Sequence, residues 1–147
     1  MKLSTKLEYV TRALLDLALY GGEERTLLRE IAQRQQIPLR YLEQLIRPLL
    51  AGRIVRSARG TKGGISLARP PEEIKLSEVM QLIEGSSALM ECIDNPEVCG
   101  RSPSCATREV WSELGAMISG VLDGITLRDL MERQKQKEQA EAVMYYI

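Results

Sequence analysis

The stretch that most limits how this chain can fold is residues 26–67, where two short apolar-faced helices separated by a proline run into a glycine-tipped hairpin. Residues 27–35 put Leu28, Ile31 and Ala32 on one face, with Thr26 placed to cap the helix. Ile37-Pro38 breaks the chain, and Pro38 suits the first position of the next helix, where its missing N–H has no partner to lose. That helix, PLRYLEQLIRPLLAG, would bury Leu39, Leu42, Leu45, Ile46 and Leu49/Leu50 and offer Arg40, Tyr41, Glu43, Gln44 and Arg47 on its other face. Pro48 inside it predicts a kink or break near residues 46–47. A short strand follows around Ile54 and Val55, then the turn Gly60-Thr61-Lys62-Gly63-Gly64 and the return strand Ile65-Ser66-Leu67. Helix, turn, helix and hairpin in this order describe a winged helix-turn-helix.

Charge follows the same division. Net charge is zero, yet residues 1–65 carry 12 Lys/Arg against 6 Asp/Glu, and the remainder carries 8 against 14. Between Arg34 and Lys62 stand seven basic residues and one acid, Glu43. A basic half of this kind suits a polyanion, and a glycine-rich tip flanked by Arg59 and Lys62 is slim enough for a groove in duplex DNA.

Upstream, residues 2–21 read as a first helix, with Leu7, Val10, Leu14, Leu17 and Ala18 at helical spacing and Gly21-Gly22 ending it. Thr5 and Glu8 have capping-box spacing. Downstream, Pro70-Pro71 marks a boundary, residues 76–84 form a connecting helix with Ser77 in its first turn, and Gly85 stops it. Residues 106–122 form the longest clear helix, with Val110, Trp111, Leu114, Met117, Ile118, Val121 and Leu122 recurring as an apolar stripe. Readers of this type work as two-fold dimers on palindromes, and that stripe is the natural seam of a homodimer. Thr126 caps a short last helix to about residue 133, with Asp129 at its third position, and the polar run after it reads as frayed or disordered. The fold class is therefore mainly α with a small β-hairpin. The head spans 1–70, the connecting helix 71–91, a cysteine loop 92–105, the dimerisation helix and short capping helix 106–133, and the polar tail 134–147.

The cysteine loop carries the only three cysteines, Cys92, Cys99 and Cys105, with gaps of six and five residues. Asn95-Pro96, Gly100 and Ser102-Pro103 mark it as loop rather than helix or strand. The chain has no CxxC pair and no histidine, which removes the usual zinc patterns, and an odd count argues against a simple disulfide frame. Three close thiols on a flexible segment suit a soft metal centre with a fourth ligand from elsewhere; the alternative is a surface loop with incidental cysteines. No apolar run reaches membrane-span length and Met1 opens no signal-peptide pattern, so a cytoplasmic protein with reduced thiols is expected, with no membrane partner.

With MKLSTK at the start, LLDLAL in the first helix, IPLRYLEQL, IVRSARGTKGG, the cysteine triplet and ISGVLDGITLRDL near the end, the chain resembles the IscR-type iron–sulfur cluster regulators, the winged-helix family that includes NsrR and CymR. The resemblance covers residues 1–133. It implies a homodimer whose affinity for double-stranded, palindromic operator DNA depends on an iron–sulfur cluster, with [2Fe–2S] favoured over [4Fe–4S], and control of cluster-biogenesis genes. It implies that Cys92, Cys99 and Cys105 are ligands, that residues around Arg40 and Glu43, including Tyr41 and Gln44, face the major groove, and that Arg59, with Thr61 and Lys62, reaches the minor groove. Where the IscR-type chain has a ligating histidine, this chain has Arg108, which has no lone pair to give. In the NsrR-like branch a carboxylate of the partner's first helix completes the site, and Glu8 matches that position. Asp94, Glu97, Ser104 or a solvent species are the other sources of a fourth ligand.

Two rival readings remain: a cluster-free thiol or zinc sensor on the same DNA-binding head, and a winged helix that binds protein. An enzyme is not expected, since the chain has no histidine, no nucleophile–base pair and no phosphate loop. Replacing Arg59 with Ala should weaken binding to an operator duplex and lower its salt dependence; unchanged affinity at moderate salt, measured by fluorescence anisotropy, removes the wing from the DNA interface.

Overall fold

The computed structural model describes residues 2–22, 24–60 and 63–146. Its elements run α1 (Thr5–Tyr20), α2 (Leu28–Gln35), α3 (Leu39–Ala51), β1 (Val55–Ala58), β2 (Gly64–Leu67), α4 (Leu76–Glu84), α5 (Glu91–Asp94), α6 (Ala106–Asp123) and α7 (Leu127–Tyr145), with 3₁₀ turns at Pro71–Glu73, Pro96–Val98 and Ser102–Ser104. The protein is mainly helical with one small hairpin, the winged helix-turn-helix architecture.

Helix α1 is the hub. Its apolar stripe, Leu7, Val10, Ala13, Leu14 and Leu17, is buried against Ile31 and Ala32 of α2, Leu42, Leu45, Ile46 and Leu49 of α3, and Ile54, Val55, Ile65, Ile74 and Val79 beyond. Each such Leu, Ile or Val side chain contributes roughly 1.5–3 kcal/mol by leaving water. The first residue of α7, Leu127, joins the same core, and its N–H donates to the Ile74 carbonyl at 2.9 Å. The hairpin pairs Val55 with Leu67 through Ala58 with Gly64. It is stitched to the helix pair by a bridge: Thr26 N–H donates to Ile65 O at 2.9 Å, and Ile65 N–H to Thr26 O at 2.8 Å.

Several local expectations are corrected. Ser4, not Thr5, caps α1: its Oγ accepts from Leu7 N–H at 3.2 Å and donates to Glu84. Glu8 thus lies outside any capping box and instead pairs with Arg12 at 3.7 Å. The Thr26 main chain pairs with Ile65, Leu27 takes the N-cap position of α2, and the Glu30 carboxylate accepts from Leu27 N–H at 3.3 Å. Pro38 precedes α3 rather than starting it, and Leu39 is exposed. Helix α3 runs unbroken through Pro48, because core anchors lie on both sides of it and Gly52 N–H still bonds Pro48 O at 2.9 Å. The cysteine stretch is not plain loop: Cys92 sits within the single turn α5. Thr126 and Asp129 do form a capping box, but α7 continues to Tyr145 and is the longest helix among the described residues, at 19 residues against 18 for α6. Gln134 and Glu138 hydrogen-bond each other at 3.0 Å and, with Arg12, Asp16 and Gln35, line a hollow beside α1, so the polar run is helical and its first turns border the head, while residues 135–146 are exposed.

Gly64 has φ 134°, and a Cβ there would stand 2.6 Å from Thr26 O, inside the bridge that fastens the wing. Gly64→Ala should therefore cost about 2 kcal/mol or more in a urea titration, from combined backbone strain and displacement of Thr26.

Candidate functional site

Two regions carry chemistry: the face of α3 with the wing, and the cysteine loop. On α3, Arg40, Glu43, Gln44 and Arg47 are exposed on one side, opposite the buried Leu42, Leu45, Ile46 and Leu49. Tyr41 departs from that face: it is half-buried, and its ring meets Tyr9 edge-on at 5.9 Å. Arg59 is exposed where the wing turns, next to Gly60 at φ 101°. Thr61 and Lys62 lie outside the described residues. A cationic and amide-bearing helix face beside a basic hairpin can contact both phosphates and base edges.

The angle at which α3 is presented depends on a residue absent from the candidate list. Asp16 of α1 is 1% exposed, yet it is a carboxylate. It accepts from Arg34 Nε at 3.0 Å, from an Arg34 terminal nitrogen at 2.6 Å and from Gln35 Nε2 at 2.9 Å. Arg12 donates to Gln35 O on the same spot. These contacts pin the last turn of α2, directly before Gln36 takes the left-handed conformation (φ 54°) that swings the chain into α3. The signal was present in LLDLAL: a carboxylate beside an apolar stripe needs a buried donor, and Arg34 is the basic residue at the end of the facing helix.

The cysteine loop joins α4 to α6. Cys92, Cys99 and Cys105 are all free and half-buried. Among the described residues, no three Cys, Asp or Glu side chains gather closely enough to hold a metal ion, so a single chain leaves the three thiols and Glu8 ungathered. Glu8 lies on the wall of a mostly apolar hollow of about 420 Å³ with Leu7, Met80 and Leu122, and no cysteine shares that wall. Asp94 accepts from Ser86 Oγ. Arg108 is half-buried on the first turn of α6, and its Nε donates to Cys92 O at 2.9 Å, tying α5 to α6. Ser87 and Ser119 hydroxyls bond at 2.8 Å and add a second tie. Within the loop is a cavity of about 350 Å³ walled by Glu97, Cys99, Ser102 and Arg108 among others.

Cys105 occupies the N-cap position of α6. Its thiol is drawn below the ordinary range, first by the Thr107 hydroxyl at 3.1 Å, then by the Arg108 backbone N–H, with smaller help from Thr107 N–H and the Arg101 charge. Thiolate is the form that binds metal or attacks a disulfide. The loop thus carries the chemistry of soft ligands, three free thiols on one short segment, Cys105 biased to thiolate and Cys99 on the cavity wall.

The model of the Rrf2 family, described as iron-dependent transcriptional regulators, matches residues 3–133. The chain belongs to the Rrf2 family. Protein rrf2 of Nitratidesulfovibrio vulgaris is 40% identical over 131 residues, covering 89% of this chain and 87% of that one. The solved structure of T. potens IscR superposes with a TM-score of 0.79 at 36% identity, covering 99% of this chain and 97% of its own. The structure of CymR, the global cysteine regulator of B. subtilis, gives 0.75 at 33% identity, covering 90% and 98%. The protein is thus an IscR-like, DNA-binding transcriptional regulator of the Rrf2 family, a family of regulators and not of enzymes. No helix among the described residues is long and apolar enough to cross a membrane.

In the reduced, metal-free protein, alkylation of Cys105 should follow its thiolate, with a midpoint below that of an unperturbed thiol. Thr107→Ala should move that midpoint upward; peptide mass spectrometry across a pH series reads both.

Proposed function

We propose that this Rrf2 regulator reads iron–sulfur or redox status through an iron–sulfur centre held by Cys92, Cys99 and Cys105, and that the state of the centre sets its grip on DNA. The observation that carries this is the loop itself: three free thiols on one short segment, Cys99 on the wall of a cavity, in the link between a head-packed helix and a helix whose apolar face is open. When bound, such a centre supplies a charge and a thiolate tether that change with iron supply or oxidation. Arg108 cannot be the fourth ligand, because a guanidinium has no free lone pair. Glu8 of the partner subunit would fill that place. Its side chain is exposed, and among the described residues it is held in its own chain only by the 3.7 Å pair with Arg12. A carboxylate on iron is a harder, weaker ligand than thiolate and would leave readily, as a sensor requires. The cluster type in this reading is [2Fe–2S], with [4Fe–4S] as the alternative.

The second copy would seat on α6. Val110, Trp111, Met117 and Val121 are all exposed there, Met117 at 69%, and a two-fold seam along this stripe would bury them. Each head would then place α3 in the major groove of one half of a palindrome. Arg40 would pair with guanine, Glu43 would accept from cytosine N4, Gln44 would contact neighbouring base edges, and Tyr41 would brace the helix against Tyr9. Arg59, with Thr61 and Lys62, would supply salt-dependent affinity from the wing. The targets in this reading are cluster-biogenesis genes, and the setting is the cytoplasm.

The ungathered thiols and the lowered Cys105 favour one competing reading, a cluster-free thiol or zinc sensor on the same head. Purification without oxygen separates the two. The cluster reading expects a coloured protein with iron and sulfide in equal amounts, loss of both in Cys92→Ala, weaker retention in Glu8→Ala, and a roughly 5–150-fold difference in operator affinity between loaded and metal-free forms. Colourless protein carrying zinc, or fully active without metal, overturns it.

A further inference from the structure

The mostly apolar hollow of about 420 Å³ between α1, α4 and α6 has Leu3, Leu7, Met80 and Leu122 on its wall. A second hollow of about 240 Å³ adjoins it, sharing Leu3 and Met80 and adding Ile118. Leu3 belongs to both walls and is 60% exposed. On α6, Ile118 and Leu122 follow Trp111 by seven and eleven residues, so the three share one flank of the helix, the flank turned to these hollows. Trp111 is the only tryptophan in the chain and stands 39% exposed at the other end of that flank. The stripe of Val110, Leu114, Met117 and Val121 runs alongside it.

A two-fold seam on this stripe can pair the helices in two ways. In a parallel pair, the two copies of the Trp111 flank point to opposite sides. In an antiparallel pair they point to the same side, and the helix dipoles oppose each other favourably. Centred between Leu114 and Met117, the antiparallel pair sets Val110 against the partner's Val121. Trp111 then stands at a height between the partner's Ile118 and the partner's Leu122, on the side where both line hollows. An indole is a large apolar body whose one N–H needs an acceptor once buried. Glu8 and Thr11 on the wall of the larger hollow are acceptors, and Thr11 Oγ1 spends its proton on Leu7 O at 2.9 Å and keeps lone pairs.

The geometry points to the hollow of Leu3, Met80 and Leu122 as the seat of Trp111 from a second copy of this chain, so that each copy anchors in the head of the other. This rests on the α6 seam proposed above and gives it a direction. The same direction carries the cysteine loop, which precedes α6, toward the partner's Glu8.

The single tryptophan is its own reporter. The metal-free full chain should sediment as a dimer whose tryptophan emission is blue-shifted and shielded from acrylamide, and dilution to monomer should reverse both. Trp111→Ala should weaken association roughly tenfold or more, while Trp111→Phe keeps most of it. The decisive sample mixes wild type with excess tryptophan-free partner, either Trp111→Phe or Trp111→Phe with Leu3→Glu. Leu3 is exposed, so Leu3→Glu alters the mouth of the hollow without entering the core. Emission should stay blue with the first partner and move red with the second, although the emitting chain is unaltered. A dimer whose tryptophan is solvent-exposed, or whose emission is the same with both partners, leaves the hollow to another occupant; it overturns the inference and leaves the α6 seam standing. A chain that stays monomeric overturns the seam, and this inference with it.

Discussion

Burial of one face of α1 is the constraint on which everything else in the head depends. The stripe from Leu7 to Leu17 touches α2, α3, the hairpin bridge region and the start of α7, so the parts of the head share one core. Asp16 is embedded in that apolar contact. A carboxylate taken out of water must be met by donors, and here they all come from the end of α2. The same burial that holds the helices together therefore also fixes the turn leading into α3. The presentation of Arg40, Glu43 and Gln44 is a consequence of packing on the opposite side of the helix pair.

The cysteine loop follows the opposite rule. Neither α5 nor the 3₁₀ turn at Pro96–Val98 buries a residue, and Ser102 is the buried residue of the turn that follows. The segment is held by a few polar ties, chiefly Arg108 to Cys92 and Ser87 to Ser119. A stretch with so little apolar anchorage has low local stability, and it gains most when a bound group draws its ligands together. Its position gives that gain leverage. It joins α4, whose Val79 and Met80 lie in the core of the head, to α6, whose apolar face is open. Ordering the loop would couple the reading head to α6 without a long path between them.

Helix α7 adds a brace. Its capping box sits on the strand-like bridge between Lys75 and Thr126, and its later turns lie beside α1 near Arg12 and Asp16. The polar clamp on α2 thus has the last helix on its outer side. The end of that helix, Met144 to Tyr146, stays exposed, with Tyr146 at 92%.

Much of this was legible in the amino-acid order. The apolar spacing of α1, α3 and α6, the stop at Gly85, the box of Thr126 with Asp129 and the glycine tip of the wing all depend on residues within a turn or two of each other, and local propensity decides them. The three thiols were likewise visible as a set. Other features depended on contacts across the fold. Ser4 caps α1 with help from Glu84, 80 residues away. Thr26 pairs its main chain with Ile65 and leaves the N-cap place to Leu27, and Asp16 is paired by Arg34 of α2. Helix α3 passes through Pro48 because its flanking leucines and isoleucine are gripped by the core. The run after residue 133 continues the helix begun at the Thr126 box, and its first turns lie beside α1. In these cases a long-range partner outweighed a local preference, about 1 kcal/mol at a cap and about 3 kcal/mol at Pro48, and such partners exist only once the chain has folded.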